Sequence, residues 1–150
     1  MAQRQPPARG RRIARSVGVI FDTCIWVAIA SDALPRERAI AASGEAPVFT
    51  SVVSLGELSF GVQSCADLSE RARRAAVLRQ IELRPTLDVT AQTASAYGLL
   101  CAAVKAAGRS PRPRMNDLWI AAQAIENGYA LMTLNPKDFA DLPGLRVVVP

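Results

Sequence analysis

Short apolar runs that end on a polar residue recur along this chain, and their brevity is what most restricts its fold. Residues 17–21 read VGVIF and stop at Asp22; residues 47–50, 129–133 and 145–149 read PVFT, YALMT and LRVVV. Runs this short and this continuous suit strands buried on both faces of a parallel sheet. Helical patterns fill the intervals. A first helix begins within residues 25–29. Ser51 is placed to cap a helix carrying Leu55, Leu58 and Val62, and Asp67 or Ser69 to cap one that runs through Ile81. Thr90 precedes a long alanine-rich helix closed by Gly108, and Asn116 precedes one over residues 117–127 closed by Gly128. Pro85 restricts residues 84–89 to an edge strand, and the prolines of RSPRPR make residues 109–114 a loop. Residues 134–139, LNPKDF, read as a turn with a short helical tip. Strands alternating with helices predict an α/β fold with a mainly parallel sheet, one domain spanning residues 17–150.

Composition removes several chemistries. The chain has no histidine, so Ser-His-Asp and Cys-His catalysis and His-ligated zinc are excluded. Cys24, Cys65 and Cys101 are odd in number and lack a C-x-x-C spacing, which predicts neither a disulfide framework nor a zinc knuckle and points to a reducing cytoplasm. No uncharged apolar run approaches the roughly 18–20 residues that cross a bilayer. The net charge of +5 is concentrated at one end: Arg4, Arg9, Arg11, Arg12 and Arg15 fall in a stretch without acids, and the other 13 basic residues balance 13 acidic ones. Residues 1–16 are therefore expected to be a disordered basic arm, either a tether for RNA or an extension without a role. The arm and the following apolar stretch imitate a secretory signal, with Ala28-Ile29-Ala30 at the cleavage position, but Asp22 interrupts the stretch.

Three acids occupy apolar surroundings. Asp22 lies between VGVIF and CIWVAIA, Glu57 among Val53, Leu55, Leu58 and Phe60, and Asp117 at the start of LWIA. A carboxylate beside so much apolar surface costs several kcal/mol to desolvate unless it is paired or hydrogen-bonded. Each has a structural explanation: Asp22 as an N-cap, Glu57 as the partner of Ser54 in an S-x-x-E capping box, Asp117 as a first-turn acid favoured by the helix dipole. Each also follows a strand or opens a helix where the carboxyl ends of a parallel sheet bind ligands. Asn135 and Asp138 follow the strand ending in Thr133 and can reach the same end. Carboxylates converging without lysine or histidine repel one another, so the natural partner is a hard divalent cation, Mg²⁺ or Mn²⁺.

The strings VIFDTCIWVA, TSVVSLGELSFGV, NDLWIAAQAIENGYALMTLNPKDF and LPGLRVVVP resemble, in order and approximate spacing, those of PIN-domain ribonucleases of the VapC toxin type. The resemblance covers most of residues 18–150. It implies a three-layer α/β/α sandwich and metal-dependent endonucleolytic cleavage of RNA by the toxin of a toxin–antitoxin pair. Asp22, Glu57 and Asp117 would then be the catalytic and metal-holding acids, with Thr23, Thr133 and Asn135 as polar support. Asn135 stands where the family often carries a fourth carboxylate, and Asp138 is the candidate substitute. The implied partners are an RNA substrate, a small antitoxin whose C-terminal segment wraps the toxin and blocks the acidic site, and a second copy in a homodimer; no membrane is involved.

Two further features stay open in the sequence. Trp26 and Trp119 suit either the core, a dimer interface or base stacking. Arg109, Arg112 and Arg114 lead into Asp117, and of these Arg112 and Arg114 are candidates to contact RNA phosphates. Two rival functions remain: a phosphatase using an aspartyl nucleophile after the first strand, disfavoured because Cys24 stands where such enzymes have a second Asp, and a noncatalytic RNA-binding module.

Overall fold

The computed structural model describes residues 17–150, so the basic arm of residues 1–16 lies outside the described residues. Five strands form one sheet: β1 (Val19–Phe21), β2 (Val48–Ser51), β3 (Thr86–Leu87), β4 (Ala130–Met132) and β5 (Arg146–Val148). Their order is β3-β2-β1-β4-β5 and every pairing is parallel, with Val19 opposite both Val48 and Ala130. The helices are α1 (Thr23–Ala30), α2 (Arg36–Ala42), α3 (Val52–Gln63), α4 (Leu68–Glu82), α5 (Ala91–Ala106) and α6 (Met115–Asn127). Short 3-10 turns occupy Arg112–Arg114 and Pro136–Asp138.

The alternation of side chains along each strand builds two cores. Ile20 and Leu131 pack with Leu100 and Val104 of α5 and Leu118 and Ile120 of α6. Their neighbours Val19, Phe21, Ala130 and Met132 point the other way, to Ile25 and Trp26 of α1, Ala39 of α2 and Ile81 of α4. A sheet apolar on both faces needs helices on both, and the result is a three-layer α/β/α sandwich. No helix among the described residues is long and apolar enough to cross a membrane.

Most helix starts follow local chemistry. Ser51 caps α3 by accepting from the Val53 N–H at 3.0 Å, Asp67 caps α4 from the Glu70 N–H at 2.6 Å, and Thr90 caps α5 in a box completed by Thr93. Gly128 closes α6 with φ of 66°, the left-handed conformation that glycine adopts without strain. The edge position of β3 accommodates Pro85, whose carbonyl accepts from the Thr50 N–H at 2.9 Å.

Four expectations need correction. β1 begins at Val19, and Val17 is solvent-exposed. Residues 36–42, with no anticipated structure, form α2 after Pro35. The loop over residues 109–114 contains the 3-10 turn Arg112–Arg114, which runs directly into α6. That helix therefore starts at Met115 with Arg114 in the cap position and no side-chain cap, placing Asn116 inside the first turn. Finally, α3 starts at Val52, so Ser54 already lies within the helix and cannot cap it; the Ser54–Glu57 capping box does not form.

Candidate active site

In the order β3-β2-β1-β4-β5 the chain leaves β1 toward β2 and leaves β4 toward β5, so the crevice at their carboxyl ends is where a parallel sheet offers a site. Asp22 lies at that point. Its backbone N–H donates to the Met132 carbonyl at 2.9 Å, tying the end of β1 to β4. Its side chain is 5% exposed and both oxygens are engaged. Oδ1 accepts from the Thr23 N–H at 2.8 Å, which makes Asp22 the N-cap of α1. Oδ2 accepts from the Thr133 hydroxyl at 2.8 Å and from the Cys24 thiol at 3.3 Å. Asp22 thus caps α1 and at the same time stands at the carboxyl end of β1.

Glu57 projects from α3 in the second turn. The Thr23 hydroxyl donates to its Oε1 at 2.8 Å and lies 2.8 Å from the Ser54 hydroxyl. Thr23 therefore links two acids, with its amide on Asp22 and its hydroxyl on Glu57. Asp117 sits in the first turn of α6, where the helix dipole favours its charge. Among the described residues no hydrogen bond reaches its carboxylate, and its pKa is pushed up to about 6. Partial burial contributes most, followed by the charges of Asp22, Glu57 and Asp138; Arg114 pulls in the opposite direction.

Asp22, Thr23, Cys24, Glu57, Asp117, Asn135 and Asp138 line one open cleft of about 580 Å³. Thr133 borders it from beneath: its hydroxyl holds Asp22 and accepts from the Asn135 N–H at 3.1 Å. The donor set is carboxylate and amide oxygen with no lysine, which fits a hard divalent cation rather than a soft one. As placed, however, no three acidic or thiol side chains among the described residues stand close enough together to form a ready-made metal-holding group. They surround a shared space, and Asp117 experiences the other three acids electrostatically.

The three arginines of the loop separate. Arg109 pairs with Asp141 at 2.7 Å, and Arg114 pairs with the same carboxylate at 3.2 Å and donates to the Asp138 carbonyl. Arg114, partly buried, is thereby committed to these contacts and fastens the start of α6 to the segment after β4. Arg112 is exposed, has no acidic partner among the described residues, and lines an adjoining recess with Glu57 and Asp117. Trp26 is buried against Phe21 with ring centres 5.0 Å apart, and Trp119 stacks on Tyr97 at 3.9 Å; neither lines the acidic cleft.

Cys24 was missed as a site residue in the sequence reading. Its thiol, raised in pKa chiefly by burial, bonds Asp22 and accepts from the Leu134 N–H at 3.4 Å, stitching the β1–α1 turn to the β4 exit. Its spacing, two residues after a capping acid, was the available signal.

A family model described as PIN domain matches residues 19–145. Ribonuclease VapC5 of Mycobacterium tuberculosis is 35% identical over 129 residues, covering 86% of this chain and 90% of that protein. The crystal structure of VapBC-5 from the same organism, described as a member of the VapBC family of toxin-antitoxin systems, superposes with a TM-score of 0.68 at 32% identity over 89% of this chain and 97% of the other. VapBC2 of Rickettsia felis, bound to a DNA fragment from its promoter, gives a TM-score of 0.75 at 23% identity over 87% and 97%, which concerns the fold alone.

Proposed function

The chain belongs to the PIN-domain family, and from that premise we propose that it is a divalent-metal-dependent endoribonuclease, the toxin of a toxin–antitoxin pair. The observation that carries the reading is Asp117, driven to about 6 by burial and three other acids around a cleft without lysine. Asp22, Glu57 and Asp117 would hold Mg²⁺ or Mn²⁺, with Asp138 as a further contact. When bound, the cation supplies water activation and neutralises charge developing on the phosphate.

The remaining roles belong to the chain itself. Thr133 and the Thr23 amide fix the orientation of Asp22, and the Thr23 hydroxyl fixes Glu57. Asn135, which lines the cleft after β4, would offer a neutral oxygen. Arg112, unpaired at the rim, contacts an RNA phosphate; Arg114, engaged with Asp141, orders the turn from which Arg112 projects. We place the protein in the cytoplasm with its three thiols free, beside an antitoxin partner of the kind seen in the VapBC complexes. A homodimer would cover exposed apolar side chains such as Phe60 on α3 and Leu99 on α5.

The full chain, purified, should cleave RNA in Mg²⁺ or Mn²⁺ and not in EDTA. Asp22→Asn, Glu57→Gln and Asp117→Asn should each lower the rate by at least about a hundredfold, the several kcal/mol that metal catalysis provides. A variant cleaving at the wild-type rate removes its residue from the site. RNA bound but left intact in either metal would establish a noncatalytic binding module instead, and a phosphoenzyme trapped from a labelled phosphomonoester would establish an aspartyl phosphatase.

A further inference from the structure

Of the three acids, Asp117 is the one that no hydrogen bond from the described residues holds, so its place in the cleft depends on where α6 lies. A polar group is buried in that helix. Gln123 is 0% exposed, surrounded in sequence by Ala121, Ala122 and Ala124, and every polar atom of its side chain is satisfied. Its Nε2 donates to the carbonyls of Leu87 at 2.8 Å and Asp88 at 3.1 Å, at the end of β3. Carbonyls only accept, so the amide orientation is fixed and Oε1 must face a donor. That donor is the Ser51 hydroxyl, at 2.5 Å. Ser51 is also the N-cap of α3, accepting from the Val53 N–H.

The tie therefore joins the helix that carries Asp117 to the N-cap residue of the helix that carries Glu57. Glu57 lies six residues beyond Ser51 and Asp117 lies six residues before Gln123. At 1.5 Å per residue each interval is about 9 Å along its helix. With Ser51 bonded to Gln123 at one end and Glu57 sharing a cleft with Asp117 at the other, the two helices run in opposite directions, and equal intervals bring the two acids level.

We propose that Gln123 is a positioning residue that, through Ser51, sets the separation of Glu57 and Asp117 across the cleft. The inference rests on the reading of these acids as metal ligands. A core residue that only filled space would be apolar at this position; a fully bonded amide instead specifies one axial alignment of two helices.

The test is Mn²⁺ affinity of the full chain, read by electron paramagnetic resonance of the free ion, alongside thermal unfolding. Gln123→Met, close in volume and unable to form the tie, should weaken Mn²⁺ binding about tenfold, the scale at which groups behind metal ligands act. In a Glu57→Gln background the same change should add little, because the pair it aligns is already broken. Ser51→Ala should reproduce the loss, and Ser51→Thr, which keeps the hydroxyl and the cap, should restore wild-type affinity; this pair also serves if Gln123→Met fails to fold. Leu100→Ala, a cavity in the same core, should lower stability without changing affinity. Wild-type affinity in both Gln123→Met and Ser51→Ala, or equal weakening in both backgrounds, overturns the proposal while leaving the metal site intact. No Mn²⁺ binding by the wild type, or undiminished binding by Asp117→Asn, overturns the metal reading itself and the proposal with it.

Discussion

Asp22 and Asp117 face the same cleft from opposite walls and are held in opposite ways. Asp22 is buried, and its two oxygens accept from an amide, a hydroxyl and a thiol. Asp117 is half-buried, accepts no hydrogen bond from the described residues, and is raised in pKa by burial and by the acids around it. A carboxylate surrounded by donors has its position settled on folding. A carboxylate facing other carboxylates is left in need of a counter-charge. One wall of the cleft is thus built for geometry and the other is electrostatically poised for a cation.

The same kind of substitution on the two walls should give effects of opposite sign. The largest expected effect comes from metal itself. At a free Mg²⁺ or Mn²⁺ concentration a hundredfold above Kd, thermal or denaturant melts should show the wild type stabilised by about 2.7 kcal/mol. Asp117→Asn should gain far less; an equal gain would mean that Asp117 does not face the cation. Next comes the wall of donors. In EDTA, Asp22→Asn or Thr133→Val should cost about 2 kcal/mol, because either change breaks a buried, charge-assisted hydrogen bond and leaves a polar group unmatched. A neutral result in both would show that the donors do not stabilise Asp22.

The smallest effect is the most diagnostic. The folded-state pKa of Asp117, about 6, lies above the ordinary 3.8, so the folded protein binds this proton more tightly than the unfolded chain does. Its ionisation therefore destabilises the fold progressively from about pH 3.8 to 6 and fully above that. Because the group is half-exposed, solvent screening reduces the contribution to roughly 1 kcal/mol. Asp117→Asn should be more stable than wild type by that amount in EDTA at pH 7.5, with the advantage vanishing near pH 3.5. A loss of stability at pH 7.5 would show that the helix dipole dominates and would erase the contrast between the walls.

Features governed by neighbours in the chain were legible in the sequence. Ser51, Asp67 and Thr90 cap helices because a hydroxyl or carboxylate three or fewer residues from an amide needs nothing else to find it. The position of Asp22 at the end of β1 followed from an apolar run that stops on an acid. Longer relations were not legible. Glu57 has the spacing of a capping partner for Ser54, but Ser51 captures the helix start first. Arg114 stayed open between an RNA contact and an ordinary loop residue because its partner Asp141 lies 27 positions away. The start of α6 was misplaced because a 3-10 turn feeds it without a side-chain cap. Gln123 did leave a trace, as a polar residue inside an alanine-rich apolar helix, but its partners Ser51 and Leu87 come from distant strands.

The Asp22 cap has a kinetic consequence. Its carboxylate holds the Thr23 amide, and its own amide holds Met132, so these two protons lie where β1, β4 and α1 meet in the centre of the sheet. They can exchange with solvent only when that junction opens, and the slowest-exchanging amides of the molecule should include both. The Lys137 and Asp138 amides, in the turn on the same cleft, belong to a surface segment and should exchange many times faster. The Asp22 junction would then persist until the whole domain unfolds, while the turn beside it breathes at the native protein's own pace.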